Sequence, residues 1–138
     1  MLKKIYNKVT HEWDTSVEEA LKSFIRLPAL SPDFDKKWEE NGVLLKALED
    51  AQAWAEKQGI KGLRCEIIKD DGFTPCLFVE VDATSDKKFE RSVFFYGHLD
   101  KQPPNEGWDP DKSAWEPVIQ NGRLYGRGAV AVSYTHLT

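Results

Sequence analysis

Residues 92–104 read SVFFYGHLDKQPP, and the chemistry in them is a histidine followed two positions later by an aspartate. An apolar run stops at His98, and a turn follows Asp100. In an extended chain residues i and i+2 point the same way, about 6.5–7 Å apart. His98 and Asp100 then share a face while Leu99 points to the other. An imidazole can bind a metal through one nitrogen and donate its other N–H to an acceptor that fixes the ring. Asp100 can be that acceptor or a direct ligand, and spacing alone does not choose. The plainer reading is a hydrogen-bonded structural pair. Zinc needs three or four protein ligands, and the other histidines, His11 and His136, form no local cluster with His98.

Such a histidine has to be held by something. SVFFYGH is expected to form a strand buried on both faces. In open α/β sheets ligands bind beyond the carboxyl ends of strands, which is where His98 would lie. Upstream, LRCEIIKDDGFTPCLFVEVDAT holds two β-rich runs around Asp71-Gly72, and this predicts a hairpin. Asp70 and Asp71 are adjacent carboxylates, but turns favour Asp for backbone reasons. SDKKFERS, residues 85–92, is a charged connector.

Two helices are expected before these strands. The first opens on a capping box, Thr15-x-x-Glu18. It carries Val17, Leu21, Phe24 and Ile25 on one face and stops at Pro28. The second runs from Ser31-Pro32 to a cap at Gly59, with Asn41-Gly42 weakening its first half. Leu44, Leu48, Ala51 and Ala55 form its stripe, broadened by Leu45 and Trp54. Glu39, Glu40, Glu49 and Asp50 are most simply a solvated face. Helix, helix, hairpin, buried strand is the order of a layered α/β or α+β domain.

Composition bounds the function. The chain has 138 residues, about one domain's length. Apolar residues make up 41%, with five tryptophans and seven phenylalanines, enough for a core. The net charge of −4 is interspersed, and no basic block suggests nucleic acid or an anionic membrane. No run approaches the roughly 20 apolar residues of a membrane span, and MLKKIYNKVTHEW lacks the apolar stretch of a signal peptide. Cys65 and Cys76 could face each other across the hairpin. Without a secretion signal they are expected as reduced thiols in a cytoplasmic protein.

A longer segment carries a resemblance. YGHLDKQPPNEGWDPDKSAWEPVIQNGRLYGRGA, residues 96–129, resembles the signature of the two-zinc family of aminoacylases, carnosinase-like cytosolic dipeptidases, bacterial carboxypeptidases and succinyl-diaminopimelate desuccinylases. It is most similar to the dipeptidase branch, in which Gly-His-x-Asp-x-Gln-Pro precedes a Trp-containing loop and a Gly-x-Leu-Tyr-Gly-Arg-Gly turn. FIRLPALSP, the following helix and the hairpin fit the same branch. The resemblance implies that His98 ligates one zinc and that Asp100, the catalytic-site carboxylate, orients its ring. It implies that Gly126, Arg127 and Gly128 form the turn before a metal-bridging aspartate. Arg127 is read as a structural anchor, and Trp108 and Trp115 as packing residues of the loop.

The pattern then breaks. No acidic residue follows Gly128, so the bridging aspartate is missing. VSYTHLT, residues 132–138, does not continue the family and resembles a translated sequencing adapter. Ser133 and His136 lack an orienting acid and are discounted as a nucleophile pair. The expectation is therefore residues 1–131 as the N-terminal part of a three-layer α/β/α zinc-peptidase-like domain, followed by a non-native tail. The family's Glu-Glu pair, further acidic ligand, late histidine and dimerisation domain would lie downstream.

For the parent, the resemblance implies two zinc ions, a homodimer, and metal-assisted hydrolysis of dipeptides or short peptides. The chain itself is expected to be inactive and prone to aggregate through an unpaired strand. The alternatives are a small non-catalytic peptide-binding or regulatory module, and a fragment of an N-acyl amino acid deacylase of the same family.

Overall fold

The apolar periodicity of the first 26 residues is helical throughout, and it outruns the capping box. The computed structural model describes residues 2–83 and 92–129. Helix α1 runs Leu2–Glu12, a π-helical turn spans Trp13–Val17, and α2 runs Glu18–Arg26. The helical path thus begins at Leu2 and not at Thr15. The Thr15 hydroxyl donates back to the His11 carbonyl at 2.7 Å instead of capping a new helix. Leu27 turns extended, with φ −79° and ψ 118°, as the residue before a proline must.

The chain divides into two units. One comprises Met1–Pro28 together with Gln102–Ala131. Its second half folds as a hairpin of β3 (Val118–Gln120) and β4 (Arg123–Tyr125). Asn121 (φ 52°) and Gly122 (φ 72°) make the two-residue turn between them. Both central residues need positive φ in this turn type, and Asn-Gly meets that need at least cost. Ile25 of α2 is fully buried, and Gly126 lies against it. A Cβ at 126 would come within 2.5 Å of Ile25 Cγ2. The loop before the hairpin is held by Lys112, whose ammonium meets Asp109 at 2.8 Å and Asp111 at 3.0 Å. The same ammonium sits 4.9 Å from the Tyr125 ring centroid, and Gln120 Nε2 donates to Asp111.

The other unit contains residues 29–101. Here α3 is a single turn, Trp38–Asn41, and α4 runs Val43–Lys57. The expected long helix is split at Gly42, which adopts φ 67°. Nothing helical begins at Ser31-Pro32, and Asn41-Gly42 is a full break. Gly59, at φ 63°, stands just beyond the end of α4, as the sequence suggested. Leu44 and Ala47 are buried on the inner stripe of α4. Strands β1 (Leu63–Ile68) and β2 (Cys76–Val81) form the expected hairpin, with Leu63 opposite Val81 and Ile68 opposite Cys76. Leu63, Cys65 and Ile67 alternate with exposed neighbours, and β1 packs on α4. The register puts Cys65 opposite Val79, so the two cysteines do not face each other; both thiols are free.

The described residues form a mixed α/β structure with two small antiparallel sheets. The buried strand expected at SVFFYGH is not there. Residues 92–98 carry no strand and are exposed, with Val93, Phe94 and Phe95 at 79%, 81% and 82%. A strand exists through its ladder, and among the described residues β1 and β2 pair only with each other. The connector and the tail from 132 onward, with Ser133 and His136, fall mainly or wholly outside the described residues.

Candidate functional site

His98 and Asp100 do come together. His98 Nδ1 lies 3.1 Å from Asp100 Oδ1 and 3.1 Å from the Asp100 carbonyl oxygen. Both partners are acceptors, so Nδ1 must carry the proton and donate. With Nδ1 committed to Asp100, Nε2 is the nitrogen that a metal would take. Of the two roles open to Asp100, the geometry favours orienting the ring.

The backbone just after the pair is fixed. Lys101 N–H donates to the Ala29 carbonyl at 2.7 Å, and the Lys101 carbonyl accepts from Ser31 N–H at 3.0 Å. Leu30 and Lys101 form a parallel bridge. Ala29, Ser31 and Lys101 are all buried. FIRLPALSP therefore serves as the anchor for the end of the His-x-Asp segment, which hydrophobic periodicity alone did not reveal.

The pair lines a cleft of about 520 Å³ within this unit. Leu44 and Leu48 of α4, Cys76 and Leu77 of β2, and His98 and Asp100 are among its walls. Its size is that of a small-molecule site, and its apolar walls with a few polar groups are the usual composition. Cys76 was read only as a thiol of the hairpin, yet it shares the cleft with His98.

Lys101 was missed as well. Only 5% of it is exposed, and burial pushes its ammonium down to about 8. No sequence signal marked it, because lysine in a turn reads as a surface residue.

Among the described residues, no group of three or more His, Cys, Asp or Glu side chains is placed to hold a metal ion. Arg127 behaves as an anchor. Its Nε donates to the Gln102 carbonyl at 3.2 Å, and its N–H donates to the Ala114 carbonyl at 2.7 Å. Trp108 and Trp115 are half-buried in that loop.

The chain is similar to succinyl-diaminopimelate desuccinylases. It is 29% identical to that of a Nitratiruptor species over 116 residues, 82% of this chain and 25% of the relative. It is 30% identical to that of Nautilia profundicola over 114 residues, 83% of this chain and 25% of the relative. A stretch of 35 residues is 49% identical to that of Helicobacter pylori, covering 25% of this chain and 9% of the relative. The chain thus spans about a quarter of the length of the first two relatives. No protein-family model matches it. These relatives carry a desuccinylase name, not a dipeptidase one. No helix among the described residues is long and apolar enough to cross a membrane.

Proposed function

We propose that this chain is the N-terminal part of a zinc-dependent amide hydrolase and supplies one metal ligand, His98, held by Asp100. The observation that carries the reading is the 3.1 Å contact from His98 Nδ1 to Asp100 Oδ1. It is the metal-ligand histidine with a carboxylate behind it. The desuccinylase relatives support a hydrolase parent. In such an enzyme bound zinc would polarise the scissile carbonyl and acidify a water.

This chain's own residues do a narrower job. The Asp100 carboxylate accepts a hydrogen bond from the Nδ1–H of His98 and so fixes its tautomer, and both residues line the cleft together with Leu44, Leu48 and Leu77. Those apolar walls would exclude water from one side of the reacting centre. The described residues provide neither a general base nor a bridging carboxylate to the site, so the chain alone is inactive under this reading.

The parent's substrates are dipeptides or short peptides, on the strength of the GHLDKQPP and GRLYGRG blocks. The parent would fold as a three-layer α/β/α domain, with this chain ending its native part at Ala131. A second reading, an N-acyl amino acid deacylase, draws on the names of the relatives.

The test is to extend the reading frame beyond Ala131 and express the product. An in-frame acidic residue shortly after Ala131 and a later Glu-Glu pair are expected. So is dipeptide cleavage that a chelator abolishes and zinc restores. Cleavage of N-succinyl amino acids alone would select the deacylase, and an early stop codon would overturn both enzyme readings.

A further inference from the structure

Helix α1, Leu2–Glu12, has no buried residue. Within its own unit it packs on no element other than the π-helical turn that continues it. Its sequence is nevertheless built for burial on one side. At about 100° per residue, Leu2, Ile5, Tyr6, Val9 and Trp13 fall on one stripe. These residues are 84%, 54%, 71%, 61% and 40% exposed.

The charges on the same helix say what kind of surface the stripe fits. Lys3, Lys4 and Lys8 come before the first acid, Glu12. Around the helix Lys3 stands on one flank of the stripe, Lys8 on the other, and Lys4 on the far side. None of the three ammonium groups forms an ion pair among the described residues. An apolar stripe that ends in a tryptophan and is flanked on both sides by lysines is the pattern of a helix lying in a bilayer interface. The stripe enters the acyl boundary, and the lysine stems reach up to anionic headgroups. The whole-chain charge of −4 hides this local excess of cations, because every acid lies at or beyond Glu12.

We propose that α1 docks, stripe down, on a bilayer surface carrying anionic lipids. The stripe is short and the charge is three lysines, so the docking is reversible and weakened by salt. It uses residues 2–13 and stands apart from the His98–Asp100 site.

Flotation of the full 138-residue chain with vesicles tests it, because bound chain rises with the lipid while any aggregate sinks. The chain is expected to float with phosphatidylcholine vesicles that contain phosphatidylglycerol, to stay below with phosphatidylcholine alone, and to be released by salt. Lys3→Gln/Lys4→Gln/Lys8→Gln should bind the anionic vesicles about 100-fold more weakly. Ile5→Gln/Val9→Gln should not float. All five positions are exposed, so the circular dichroism of both variants should be unchanged. A wild-type chain that does not float with the anionic vesicles, or floats equally with neutral ones, would overturn the docking. So would variants that float like the wild type. The product of the extended reading frame should float as well. Its failure to do so while the 138-residue chain floats would show the rest of the parent seated on the stripe, and would also overturn the proposal.

Discussion

His98 donates through Nδ1 to Asp100, with 3.1 Å between Nδ1 and Oδ1, so the carboxylate selects the ring's tautomer. Nitrogen-15 spectra of the chain are expected to show a protonated Nδ1 and an unprotonated Nε2 at alkaline pH. Asp100→Ala should remove that bias while leaving the fold's dichroism unchanged. A His98 ring already protonated at Nε2 in the wild type would contradict the orienting role.

Gly126 and Ile25 make the second exacting contact. A Cβ at 126 would stand 2.5 Å from Ile25 Cγ2, and Ile25 is fully buried with nowhere simple to go. Gly126→Ala should cost about 1–3 kcal/mol, the range of overpacked cores. Ile25→Ala alone should cost about 2–5 kcal/mol by leaving a cavity. Denaturant unfolding of both variants and their combination checks this. The double variant should cost less than the sum, because the smaller residue 25 makes room for the added methyl.

Lys101 gives a pH signature. Its folded value of about 8 lies below the ordinary 10.5. Between those values the unfolded chain binds more protons than the folded one, so stability rises with pH across that window. Below about 8 the full cost of burying the charge is present, up to about 3 kcal/mol. Lys101→Met, which keeps the chain's length without the charge, should flatten the slope between pH 8 and 10.5. Urea titrations of both proteins at several pH values measure it. A wild-type profile that is flat, or that falls with pH there, would contradict the assignment.

The parts legible in the sequence were those fixed by local rules. Asp71-Gly72 announced the β1–β2 hairpin, Pro28 ended α2, and Gly59 lay just past α4. Asn121-Gly122 between VIQ and RLY carried an equally strong turn signal for β3–β4, but it was read only as part of a family signature. Thr15-x-x-Glu18 misled because a capping box also occurs inside a longer helix, where the hydroxyl can turn back to His11. SVFFYGH misled for a different reason. An apolar run states that burial would be favourable, but not which strand supplies the ladder. The His98–Asp100 pairing was foreseeable from spacing. The Ala29–Lys101 and Ser31–Lys101 hydrogen bonds that fix the adjacent backbone join positions some 70 residues apart and left no local mark.

The most direct measurement of the central claim is zinc affinity in the protein expressed from the extended reading frame, by competition with a chromophoric chelator. His98→Ala is predicted to lose one zinc equivalent together with amide hydrolysis. Asp100→Asn should keep the fold and weaken zinc binding about 10–100-fold, as expected when the group orienting a ligand histidine is altered. Zinc stoichiometry and affinity unchanged in both variants would contradict the claim that His98, held by Asp100, is a corner of the metal site.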